Sequence, residues 1–166
     1  MSEKKANLAI LMTATMSVLL PFFSYAADTA AGGDNRDVVA SIEIKFDTAG
    51  DNKDGDTQVR SRLVIDGQDY ARLYCCNAGK HSKEDHWNDR TSNTRKMDLL
   101  KSISRQDIHR ATMVFGSQAN GNDKWIFTPT VTVNYKKGPS ETFTFEMTTL
   151  DSHNSSEVRK EYPISK

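Results

Sequence analysis

From residue 38 onward, apolar and polar residues alternate with a period of two, the mark of strands that bury one face. Ala40, Ile42, Ile44 and Phe46 fall on one side of their stretch, and Ser41, Glu43 and Lys45 on the other. Val59, Ser61, Leu63 and Ile65 repeat the pattern against Arg60 and Arg62, after which Asp66-Gly67 reads as a hairpin turn. A third strand over 69–76 sets Ala71, Leu73 and Cys75 against Tyr70, Arg72 and Tyr74, and further strands follow at 94–99 and 110–115. Trp125, Phe127, Val131, Val133 and Tyr135 give the longest run. Pro129 interrupts it, and a residue with no amide proton requires an edge position or a bulge. Lys136 to Pro139 turns the chain, and Phe143, Phe145 and Met147 answer on the returning strand. Ser102 to Ile108 suits one helical turn capped by Ser102 or Ser104, and Tyr162 to Ile164 suits a closing strand. The expected fold is all-β: an antiparallel β-sandwich of about eight strands, without a long helix.

The segment ahead of this pattern has another character. Lys4 and Lys5 precede an apolar run from Ala6 to Phe23 and then Ser24-Tyr25-Ala26, the layout of a secretory signal peptide over 1–26 cleaved after Ala26. Residues 27–37 are small and polar, a flexible lead-in, and 38–166 form the binding domain. The signal takes two lysines and one glutamate from totals of 22 basic and 22 acidic residues, so the exported chain stays close to neutral. Such a balance offers no long-range attraction to nucleic acid, and none is expected as a partner. The expected location is secreted or periplasmic.

Asp47, Asp51, Asn52, Asp54 and Asp56 lie within the eleven residues from Asp47 to Thr57, between two predicted strands. Oxygen-rich side chains at alternate positions of a loop are one way to gather the six to eight hard ligands of Ca²⁺. The same residues also form ordinary solvated turns, because Asn, Asp and Gly are turn formers on conformational grounds. The EF-hand pattern is absent, with no glycine after the third ligand and no distal glutamate. A second turn, Asn120 to Asp123, can emerge at the same end of a sandwich, so Asn122 and Asp123 join the calcium candidates.

The Asp-Asn-Lys-Asp-Gly-Asp-Thr loop at 51–57, the Asn-Gly-Asn-Asp-Lys-Trp-Ile-Phe stretch at 120–127 and Val131 to Tyr135 resemble the PLAT/LH2 family and its C2-like relatives, over roughly Val38 to Leu150. The resemblance implies a calcium-influenced β-sandwich that attaches to membranes or to other proteins. It places acidic ligands at Asp51, Asp54 and Asp56 and a packed aromatic at Trp125. Cys75-Cys76 and the insertion from His81 to Asp89 depart from that pattern.

Cys75 and Cys76 are the only cysteines. An exported protein usually oxidises its thiols, which leaves a strained vicinal ring, a bridge to a second chain in a homodimer, or two thiols. With His81 and His86 they include zinc-compatible side chains, although adjacent cysteines match no common zinc spacing. Catalysis finds no Gly-x-Ser-x-Gly elbow and no framed carboxylate pair, so an enzyme is not expected. The function expected is a calcium-dependent module that docks on lipid or on another exported protein through loops at one end, with Lys53, His86 and Trp87 as contact residues. The alternatives are a carbohydrate-binding domain, with Trp87 against the sugar, and a hydrolase that uses the acidic loop.

Overall fold

The structure is a computed structural model that describes residues 38–76, 86–154 and 156–164. The signal peptide at 1–26 and the lead-in at 27–37 lie outside the described residues, as do His81 and the basic loop residues Lys80 and Lys83, which a lipid surface would be expected to meet. The strands are β1 (Val39–Thr48), β2 (Gln58–Ile65), β3 (Gln68–Cys75), β4 (Ser92–Lys96), β5 (Asp98–Leu99), β6 (Thr112–Gln118), β7 (Asp123–Tyr135), β8 (Glu141–Thr144), β9 (Thr148–Ser152) and β10 (Glu157–Pro163). One short helix, α1 (Arg105–Ile108), precedes β6. Two antiparallel sheets pack together, one ordered β4-β1-β7-β8 with β9 also on β7, the other β10-β6-β2-β3-β5. The all-β sandwich read from the alternation is therefore the architecture present.

Among the described residues ten strands stand where about eight were expected, for two local reasons. Met97 divides the 94–99 stretch: it is buried and its N–H donates to Ile42 O at 2.9 Å, so β4 stays in one sheet while β5 crosses to the other. The returning strand divides at Phe145 to Met147. On β7, pairing passes from β9 at Phe127 to β8 at Thr130, and Pro129 occupies the gap between them. There its carbonyl accepts from Phe145 N–H at 3.0 Å, and no partner on that side needs the proton it lacks. The proline thus sits at a break on one side of an interior strand. Met147, expected on the returning strand, lies in this break and is 65% exposed.

The inward residues of both sheets form one core around Phe46, Phe115, Trp125 and Phe127, with ring centroids 3.9 to 6.5 Å apart. Burial of each such side chain contributes about 1.5–3 kcal/mol, which makes this cluster the main source of stability. Ala40 is exposed and Val39 buried in its place, because the register of β1 against β7 shifts between Val39 and Ser41. One extra residue reverses the parity upstream of it. Register also defines the two ends: Gln58 lies across from Gln118 at the loop end, and Val64 across from Thr112 at the end that carries α1.

An acidic loop end closed by a lysine

The chain leaves β1 at Thr48 and re-enters at Gln58, and the intervening loop is tied on three sides. Ala49 N–H donates to Ile126 O at 2.8 Å, Ile126 N–H donates to Asp51 O at 3.1 Å, and Lys53 and Trp87 exchange backbone hydrogen bonds of 3.0 and 3.1 Å. The loop is thus stitched to β7 and to residue 87, a short added ladder that fixes where its side chains point.

Lys53 points inward. It is 0% exposed, and its Nζ donates to Asp54 O at 2.8 Å and Thr57 O at 3.0 Å while lying 5.1 Å from the centroid of Trp87. A fully buried lysine is rare unless its charge is compensated, and here carbonyl dipoles and an aromatic face supply compensation. Trp87 itself is 1% exposed, packed 5.3 Å from Trp125 and 5.4 Å from Phe46, with the Arg95 guanidinium 5.1 Å from its centroid. Of the three residues expected to touch a partner, His86 stays at the surface, and two, Lys53 and Trp87, are therefore interior. Each has an apolar body that the core accepts, the lysine through its methylene stem.

Asp123 opens β7 beneath the loop, where it accepts from Thr57 Oγ1 at 2.5 Å and from Asp54 N–H at 3.3 Å. The expected convergence of the 51–57 and 120–123 loops is a direct contact. Burial pushes the Asp123 carboxyl up; the Thr57 and Asp54 hydrogen bonds oppose that shift, the Asp54 charge adds to it and Lys53 opposes it.

Asp47, Asp51 and Asn122 make contacts of their own. Asp47 lies on the outer face of β1, paired with Lys45 at 2.8 Å and accepting from Ser92, and these two hydrogen bonds hold its carboxyl below the ordinary range. Asp51 pairs with Lys124 at 3.3 Å, and Asn122 Oδ1 accepts from Asn154 N–H at 3.4 Å. Asn52 lies 3.4 Å from His86 Nε2, and the Asp54 carboxylate 3.9 Å from His86 Nδ1, all three at the surface. Asp56 is 8% exposed. Among the described residues, no three His, Cys, Asp or Glu side chains are gathered closely enough to hold a metal ion.

Cys75 ends β3 across from Val59, so it also belongs to the loop end, and Cys76 follows it with φ +69°. His86 is parted from both by the undescribed 77–85 stretch.

Sequence reasoning missed a second polar cluster, at the helix end. Glu141 accepts from Arg105 at 2.6 Å and from the Tyr135 hydroxyl at 2.9 Å, with His109 Nε2 at 3.5 Å and the Arg105 guanidinium 3.8 Å from the Tyr135 ring centroid. Four residues from three separate stretches carry no common spacing that a sequence could display.

A scan against protein-family models finds no match for this chain, and searches of the curated proteins and of the solved structures find none either.

Proposed function

We propose that the chain is an exported docking module, similar in build to PLAT/LH2 and C2-like domains, which engages another exported or surface protein through its loop end. In this reading the cation of that end is the Lys53 ammonium, in the place a Ca²⁺ was expected to take. One observation carries it: Nζ of a lysine with no exposed surface donates to the carbonyls of Asp54 and Thr57 inside the loop that looked like a metal site. Two unit charges 4 Å apart repel by about 4 kcal/mol at an effective dielectric of 20, and a divalent ion beside that ammonium would feel about twice as much. The loop therefore reads as pre-closed, and a surface already ordered before contact loses less entropy on binding.

The choice of a protein partner over lipid follows from what the end exposes. Lipid docking needs apolar or basic tips, and the interior positions of Trp87 and Lys53 withdraw two of the residues that offered them. Asp51, Asn52, Asp54, His86 and Asp89 remain at the surface, a polar and largely acidic set suited to a basic patch. Trp87 shows no ring face to a sugar, which removes the main support for carbohydrate recognition.

A photo-reactive residue at Asn52, introduced in cells that export the chain, tests this reading. Protein adducts that disappear with Asp54→Lys and Asp89→Lys together are expected. Flotation of the wild-type protein with anionic vesicles, with no protein adduct, would contradict it.

A further inference from the structure

We infer that Cys75 and Cys76 form a thiol–disulfide exchange site that closes on itself within the chain, with a small-molecule or protein disulfide as co-reactant. Their sulfurs lie 2.7 Å apart, closer than two non-bonded sulfurs ordinarily rest. The backbone accounts for the approach. Cys76 has φ +69°, in the left-handed region that residues with a Cβ seldom enter. Asp66, Arg90 and Asn154 also adopt it; Asp and Asn tolerate the region through local hydrogen bonds, whereas cysteine, like arginine, has no such compensation. Strained backbone persists where its surroundings hold it, and Cys75 is held by the β3 register against Val59 while both side chains pack on the core.

Both cysteines are half-buried, so a co-reactant can reach them. One thiolate of the pair attacks a sulfur of R–S–S–R, its new S–S bond forming as R–S⁻ leaves. The second thiolate then attacks the mixed disulfide at the first cysteine's sulfur, closing the eight-membered ring and expelling the other R–S⁻. The two cysteine protons pass to the two departing thiolates, and the pair loses the two electrons that the disulfide gains. The second step is intramolecular between atoms already in contact, so it outruns capture by another chain. Adjacent Cα atoms are about 3.8 Å apart, short of the usual span of 4.4 Å or more, so the ring opens readily to a dithiol reductant. This site stands independently of the proposed docking role.

The experiment uses the whole chain, reduced and then treated with glutathione disulfide. Intact mass should fall by two hydrogens, non-reducing electrophoresis should show a monomer, and neither cysteine should then take up an alkylating agent. Reduction should restore both thiols, and phenylarsine oxide should then bind once per chain by bridging the pair. Cys75→Ser and Cys76→Ser should each abolish that bridging and retain a glutathione adduct on the remaining cysteine. The inference rests on the wild-type readouts, so a variant that fails to fold leaves it testable. A disulfide-linked dimer, or two thiols still alkylated after oxidant, would overturn it.

Discussion

At the loop end the charge taken out of water is Lys53, with no exposed surface and the carbonyls of Asp54 and Thr57 among its acceptors, whereas at the helix end it is Glu141, about one-tenth exposed and met by the Arg105 guanidinium at 2.6 Å. The carboxyls nearby differ in the same sense. Burial is the largest influence on both Asp123 and Asp107 and acts to raise each. At Asp123 it prevails; at Asp107 the Ser104 backbone and hydroxyl and the Arg110 guanidinium outweigh it and hold the carboxyl low. Ionised Asp107 thus stabilises the native state, and ionised Asp123 is tolerated at a cost. A buried carboxyl shifted upward is one feature that functional regions share, and it adds to the proposal that the loop end is the docking surface.

The largest effect that separates the ends is expected from Lys53→Ala. Removing one member of a buried charged arrangement destabilises by about 3–5 kcal/mol, and urea unfolding should show it. Lys53→Met, which keeps the stem, should recover part of that loss but remove a donor from the Thr57 carbonyl, while Asp54 O keeps Thr57 N–H at 3.1 Å. A loss below about 1 kcal/mol for the alanine variant, the scale of a surface ion pair, would mean the ammonium reaches solvent.

Glu141→Gln should cost less, about 1.5–3 kcal/mol, the worth of hydrogen bonds to a charged group. Arg105 keeps Pro139 O at 3.2 Å as an acceptor, which limits the damage, and urea unfolding of this variant measures it. An unchanged midpoint would show that the helix-end cluster is not a stabilising one.

Smaller still are the pH effects, and their signs oppose each other. Asp123 titrates above its ordinary 3.8 in the folded chain, so its contribution is complete below the unfolded value and is lost as pH rises through the folded one. Asp107 titrates below 3.8, so its contribution is present above the unfolded value and is lost as pH falls through the folded one. As pH rises through the carboxylate range, the stability difference should therefore move against wild type when compared with Asp123→Asn, and in its favour when compared with Asp107→Asn. Ser104→Ala removes the cap itself and should cost about 1 kcal/mol at neutral pH. Parallel pH profiles for the two aspartate variants would erase the contrast between the ends.

Alternation made the sandwich legible because each strand has one face in the core, and Val59, Ser61, Leu63 and Ile65 are all buried as the period requires. It failed wherever one residue changes parity: the Val39/Ser41 shift exposes Ala40, and the turn at Met97 sends β5 to the other sheet. Pro129 announced a break, but its place opposite Phe46 in an interior strand depends on pairings remote in sequence. The loop end was half legible. Its two oxygen-rich turns meet through Asp54, Thr57 and Asp123, as their positions in a sandwich allow. The inward turn of Lys53 and Trp87 had no signal, because a lysine and a tryptophan in polar loops satisfy no periodicity that would send them to the core.

A loop end that holds its own cation in Lys53 has no need of a divalent ion. Thermal melts of the full chain, in calcium and in chelator, put the question most directly. A divalent ion bound only by the native state would contribute about 2.7 kcal/mol at a hundred times its Kd. The account predicts one melting temperature in both buffers for wild type, and a loss with Lys53→Ala that calcium does not restore. A rise in calcium that vanishes when Asp54→Asn and Asp56→Asn are combined would contradict it, and would return the loop to the divalent ion.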